Sequence, residues 1–84
     1  MNEFEVIGKC VSYGYSDAKP WIEVEPLSID KSRYSITMYL DGLKLEDYEK
    51  ELNTDYTLVV KGYIKTFKDD DKVMLMADDI FIVR

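Results

Sequence analysis

The stretch Tyr56-Thr57-Leu58-Val59-Val60-Lys61-Gly62-Tyr63-Ile64-Lys65-Thr66-Phe67, then Lys68-Asp69-Asp70-Asp71-Lys72, then Val73-Met74-Leu75-Met76-Ala77-Asp78-Asp79-Ile80-Phe81-Ile82-Val83, decides the fold. Two runs rich in β-branched and aromatic residues flank a charged turn, which is the pattern of a β-hairpin. In the first run Leu58, Val60 and Ile64 share one face, and Val59, Lys61, Tyr63, Lys65 and Phe67 take the other. Gly62 permits a bend within that strand. The second run starts at Val73, pauses at Asp78-Asp79 and resumes as Ile80-Phe81-Ile82-Val83. A long, bent closing hairpin of this kind points to a small β-barrel.

The rest of the chain supplies the other strands. Phe4 to Tyr15 reads as one long strand, with Gly8 inside it to allow a bend, so that one strand serves both sides of a closed barrel. Tyr15 to Pro20 is turn chemistry. Trp21 to Ile29 alternates, with Ile22 and Val24 on one face and Trp21, Glu23 and Glu25 on a wet one; Pro26 ends the strand or makes it an edge. After a polar turn at Asp30-Lys31-Ser32-Arg33, the residues Tyr34, Ile36, Met38 and Leu40 form a core face, and Ser35, Thr37 and Tyr39 face solvent. Asp41-Gly42 closes that strand. Lys44 to Leu52 reads as a helix with Leu45, Tyr48 and Leu52 on one face, Glu46 and Lys50 as an i,i+4 pair and Asn53 as its stop. So short a helix is held by packing rather than by propensity.

The order is β-β-β-α-β-β, an all-β chain with one short helix. A five-stranded barrel with a helix between its third and fourth strands is the arrangement of the oligonucleotide/oligosaccharide-binding (OB) fold. An SH3-like barrel lacks the helix, and a β-grasp fold places it after two strands. Leu58-Val59-Val60-Lys61-Gly62-Tyr63-Ile64 with the turn and Val73 to Ile80 resembles the closing hairpin of OB-fold proteins. Its apolar strand with glycine, turn, strand and "Ala-x-x-Ile" step is similar to single-stranded DNA-binding proteins and to the anticodon-binding domains of some tRNA synthetases. The residue-level likeness covers the last third, and the order of elements extends it over residues 1–84 as one domain. The resemblance implies binding of single-stranded nucleic acid. OB modules also serve as protein–protein subunits of replication assemblies.

Length and composition narrow the field. Eighty-four residues make one domain with one core. The longest apolar run falls far short of the ~18 residues that span a bilayer, so no membrane role is expected, and no secretory signal pattern opens the chain. A single cysteine, Cys10, forbids an internal disulfide and fits a reducing, cytoplasmic setting; it reads as a small buried apolar residue. The net charge of −6 opposes nucleic-acid attraction through the overall field. Charge is unevenly spread, however: Lys61, Lys65 and Lys68 lie in a stretch without acids, and Glu46, Asp47, Glu49, Glu51 and Asp55 stand against Lys50. There is no histidine, no glycine-rich phosphate loop and no nucleophile–base pair, so no enzyme activity, cofactor or metal is expected. Asp69-Asp70-Asp71 lacks the spacing of a calcium loop and reads as a solvated hairpin tip.

OB proteins bind on the face of strands two and three and with the loops joining strands one to two and four to five. Carried onto this chain, that implies Trp21 and Tyr39 on the outward faces of the two strands. Tyr15 ends strand one, Lys19 lies in the first loop, and Lys65, Phe67, Lys68 and Lys72 lie at the last hairpin. Sequence-independent binders of single strands stack bases on aromatic rings and track phosphates with cations. Trp21, Tyr39 and Tyr15 are the stacking candidates, and Lys19, Lys65, Lys68 and Lys72 the phosphate candidates. The opposing reading gives tyrosines cross-strand or core positions and lysines the task of guarding strand edges. The expected function is an OB-fold accessory factor of DNA replication or recombination that binds single-stranded nucleic acid, DNA before RNA. The alternative is a protein-interaction subunit that modulates a polymerase or primase; Glu23 and Glu25 on the nominal binding face favour it. Homo-oligomerisation by edge pairing is a further expectation.

Overall fold

The structure, a computed structural model, describes residues 2–27, 34–68 and 70–84, apart from the side chains of residues 70 and 71. Five strands form it: β1 (Glu3–Ser16), β2 (Lys19–Pro26), β3 (Ile36–Leu40), β4 (Thr57–Phe67) and β5 (Asp70–Val83). They close into a barrel in the order β1-β2-β3-β5-β4. Neighbours are antiparallel except β3 and β5, which are parallel. The helical segment falls between β3 and β4, so this is the expected five-stranded, all-β OB arrangement.

Two glycines make closure possible. Gly8 pairs with Pro26 of β2 and with Leu58 of β4, so β1 changes partner there. A Cβ on Gly8 would lie 2.1 Å from the Glu25 carbonyl oxygen, a distance no side chain tolerates. Gly62 sits under the same constraint, its would-be Cβ 1.8 Å from the Met76 oxygen. The register slips beside it: Lys61 pairs with Asp79 but Gly62 with Ala77. Asp78 is therefore the extra residue of a β-bulge. The pause read at Asp78-Asp79 is this bulge, and β5 runs on through it.

The core follows the period-2 pattern in β2, β3 and β4, and in β5 the bulge sets its two buried residues three apart. Ile22 and Val24 of β2, Met38 and Leu40 of β3, Leu58 and Val60 of β4, and Ala77 and Ile80 of β5 are buried, with Leu45 and Leu52 from the helical segment. Full burial of each large aliphatic side chain contributes about 1.5–3 kcal/mol. Cys10 is half-buried; its thiol donates to the Ser12 carbonyl at 3.3 Å, and burial pushes its pKa up.

Several expectations need correction. The helix over Lys44 to Leu52 is a 3-10 turn (Leu45–Asp47) followed by a single-turn helix, α1 (Glu49–Leu52). Tyr48 stands between them at φ −120° and ψ 0°, outside helical geometry. Nine residues rich in like charge do not sustain a helix by propensity, and burial of Leu45 and Leu52 fixes the ends. Glu46 accepts a hydrogen bond from the Tyr15 hydroxyl, while Asn53 does cap the segment. Tyr34 is not core: it precedes β3 and is 53% exposed. The first turn is only Asp17-Ala18, because Ser16 already pairs with Lys19. Ser28, Ile29 and the turn at Asp30 to Arg33 lie outside the described residues, as does Asp69.

Candidate nucleic-acid interface

In the β2–β3 pair Trp21 stands opposite Tyr39, Ile22 opposite Met38 and Glu23 opposite Thr37. Ile22 and Met38 fill the core, so alternation turns Trp21, Glu23, Thr37 and Tyr39 outward. The row extends in both directions. Gly14 of β1 faces Trp21, Tyr39 lies beside Met76 of β5, and Met76 faces Tyr63 of β4. All five strands thus contribute to one line: Gly14, Trp21, Tyr39, Met76, Tyr63. Lys65 opposite Met74 begins the next line.

Trp21 is positioned by the missing side chain across from it. A Cβ on Gly14 would meet the indole Cζ2 at 3.1 Å, so the ring lies over the β1 backbone. Trp21 and Tyr39 are both half-buried, each seated on the sheet with part of its ring facing outward. That is the geometry of a stacking platform.

The cations stand at two hairpins, and Lys19 is the first residue of β2 rather than part of the loop before it. Lys19 is exposed, two residues before Trp21 and beside the Asp17-Ala18 turn. Lys65, Phe67, Lys68 and Lys72 belong to the β4–β5 hairpin, where all four are exposed. The Lys65 ammonium lies 5.7 Å from the centre of the Phe67 ring, a cation–π contact.

Tyr15 does not join the row. Its hydroxyl donates to Glu46 on the 3-10 turn, and its ring borders a cleft with Tyr13 and Leu45. The sequence-chosen residues therefore separate into a Trp21–Tyr39–Lys19 patch, a basic aromatic hairpin, and Tyr15 beside the helical segment. Gly14, Met76 and Tyr63 were not singled out from sequence. Strand alternation had already put Tyr63 outward with Lys65, but the β3–β5 pairing that brings Met76 beside Tyr39 has no local signature.

Two carboxylates at this face accept hydrogen bonds from hydroxyls. Ser35 Oγ donates to Glu23, and Tyr63 donates to Asp41 Oδ2 at 2.5 Å. The bond to Asp41 is the first cause that raises the Tyr63 pKa, with desolvation and the charges of Asp41 and Asp78 adding to it. Among the described residues no group of three or more Cys, Asp or Glu gathers to hold a metal ion, and no helix is long and apolar enough to cross a membrane.

No protein-family model matches the sequence, and no curated protein does. Solved structures do match. The mitochondrial single-stranded DNA-binding protein Rim1 of S. cerevisiae superimposes with a TM-score of 0.73 at 8% identity, over 99% of this chain and 95% of that one. A selenomethionine form of it gives 0.72 at 9% identity with the same coverage. The dimeric N-terminal domain of PriB from Thermoanaerobacter tencongensis gives 0.66 at 12% identity, over 99% of this chain and 97% of that one. At such identities the likeness is one of fold: an OB barrel, matched end to end.

Proposed function

We propose that the chain binds single-stranded nucleic acid, DNA before RNA, across the Trp21–Tyr39 face, as an accessory factor in DNA replication or recombination. The observation that carries this reading is the cross-strand Trp21–Tyr39 pair on the outward side of β2 and β3, with Lys19 on one side and the Lys65–Phe67 hairpin beyond the other. Rim1, a single-stranded DNA-binding protein of matching fold, supports it. Bases stack on Trp21 and Tyr39, and Lys19, Lys65, Lys68 and Lys72 track the phosphates. The net charge of −6 sets the cost: long-range attraction is weak, so binding relies on stacking and on local cations.

The test follows Trp21 fluorescence, the chain's single tryptophan, during titration with a short single-stranded oligonucleotide. Quenching at low salt that weakens on adding salt is expected. Four phosphate contacts set the slope of log K against log salt at about −3. Trp21→Ala loses about 1–3 kcal/mol of binding, one stacked base. No quenching at low salt, or full affinity in Trp21→Ala and Lys65→Ala, overturns the assignment.

A second reading, a protein contact, has its own observation. Ile7, Val59 and Phe81 pair in sequence across β1, β4 and β5 on the outward side of the barrel. Ile7 is 42% and Phe81 51% exposed. An exposed apolar row of this kind marks an association surface. We assign it to a second copy of this chain, as the dimeric PriB domain suggests, or to a larger replication enzyme such as a polymerase or primase. Both uses leave the Trp21–Tyr39 face open.

A further inference from the structure

A cleft of about 180 Å³ opens between the end of β1 and the helical segment, lined by Tyr13, Gly14, Tyr15, Leu45, Glu46 and Glu49. The function proposed above makes no use of it. Its size excludes most small-molecule ligands, whose pockets run from about 300 Å³ upward, and suits one long side chain. Its lining is mainly apolar and includes two tyrosines and two glutamates.

Ion pairing around the segment is uneven. Glu51 meets Arg84 at 3.1 Å, and Asp55 meets Lys9 at 2.9 Å. Among the described residues no ion pair reaches Glu46 or Glu49. Glu46 accepts the Tyr15 hydroxyl, which steadies the ring and leaves the carboxylate charged with acceptor sites to spare. Among the described residues the Glu49 carboxylate has no hydrogen bond or ion pair, and its backbone oxygen is bonded by Asn53. Tyr13 is steadied too, its hydroxyl accepting from Asn53 Nδ2 at 2.8 Å. Two steadied aromatic rings and two carboxylates outside any ion pair among the described residues, with Lys44 acting on Glu46 only through its charge, match the chemistry of one guest. A cation on an aliphatic stem lays its stem on Leu45, its charge against the rings and its donors to the carboxylates.

We propose that this cleft seats an arginine or lysine side chain from a basic segment of a partner protein. Charge complementarity chooses the occupant. The surrounding Asp47 and the net charge of −6 attract a basic segment and repel a phosphate backbone. The site is independent of the Trp21–Tyr39 face, though Gly14 borders both.

The test is an NMR titration of the ¹⁵N-labelled chain with a twelve-residue peptide alternating arginine and serine, against a glutamine-for-arginine control. The arginine peptide alone is expected to shift the amides of Tyr15 and of Leu45 to Glu49, with a common midpoint. Glu46→Gln and Glu49→Gln each weaken binding about fivefold, as expected of a partly exposed charge pair. Tyr15→Ala weakens it by a similar factor through loss of the ring. Tyr15→Phe keeps the ring and removes the bond to Glu46, so affinity stays within about twofold of wild type, and a fall as large as that of Tyr15→Ala overturns the ring contact. Trp21→Ala leaves peptide binding intact, which separates this site from the nucleic-acid reading. Equal shifts at the distant acidic cleft of Glu3, Asp78 and Asp79, or indifference to Glu49→Gln, reduce the effect to the general field and overturn the proposal. Equal affinity for free spermidine overturns the protein partner in favour of a polyamine.

Discussion

At the residue scale the candidate interface depends on one absent side chain. Gly14 gives Trp21 its seat, and its backbone carries no positive φ that an alanine would resist. Gly14→Ala therefore folds but forces the indole to move by a few tenths of an ångström. The expected result is a shifted Trp21 emission maximum and oligonucleotide affinity a few-fold weaker, with thermal stability altered by less than about 1 kcal/mol. Full affinity with unchanged emission would show that the indole position does not matter. The two phenol–carboxylate bonds give a pH signature. Bonding to Glu46 and to Asp41 raises the Tyr15 and Tyr63 pKa values above the ordinary 10.0. The hydrogen bond from Tyr15 also lowers the Glu46 pKa below 4.5. A raised phenol pKa stabilises the fold below the unfolded value of 10.0, and the contribution is lost as pH rises through the folded value. A lowered carboxyl pKa stabilises above 4.5, and that contribution is lost as pH falls through the folded value. Urea midpoints should therefore separate wild type from Tyr63→Phe at pH 8 and converge well above pH 10. Tyr15→Phe should converge with wild type at both extremes. A constant gap across the range would mean that these bonds contribute nothing to the alkaline limb.

At the element scale the β1–β2 hairpin carries a local strain. Asp17 and Ala18 both have positive φ, 50° and 65°, as a two-residue hairpin turn with right-handed strand twist requires. Aspartate tolerates that region, but alanine does so at a cost of about 1–2 kcal/mol. Glycine relieves the clash and gives back part of the gain through a freer unfolded chain. Ala18→Gly should raise stability by about 0.5–1 kcal/mol in chemical denaturation, and a loss of stability would contradict the turn geometry. The helical segment shows the opposite balance. Its sequence reads as one helix, yet it folds as two short pieces because the barrel claims Leu45 and Leu52 and β1 claims Glu46. Local pattern there identified the buried face but not the backbone.

At the scale of the whole molecule, closure changes how copies can meet. The five strands form a closed barrel, which leaves only one-sided overhangs such as Lys9 to Ser16 of β1 for edge pairing. The association proposed above uses a face instead, the row of Ile7, Val59 and Phe81. Lys61 flanks that row, bonded to Glu5 at 3.5 Å and lying 5.7 Å from the Phe81 ring centre, so a charged rim borders an apolar centre as in protein interfaces. If a second copy binds there, sedimentation velocity at tens of micromolar shows a dimer, Phe81→Glu shows a folded monomer, and Trp21→Ala stays dimeric. A monomeric wild type would leave the row to a different protein.

The sequence by itself determined the strand count, the place of the helical segment, the outward faces of Trp21 and Tyr39 and the core residues of β2, β3 and β4, though not the exposure of Tyr34 or the inward residues of β5. These follow from period-2 alternation and from glycines where strands must bend, and both are properties of neighbouring residues. Tertiary structure alone decided that Gly14 is the floor under Trp21, that Met76 and Tyr63 complete the aromatic row, and that Tyr15 leaves it for Glu46. It also turned the apparent pause at Asp78 into a bulge. Each of these depends on the register between strands far apart in the chain, such as β3 beside β5. Register is fixed by closing the barrel around one shared core, and no local run of side chains records it.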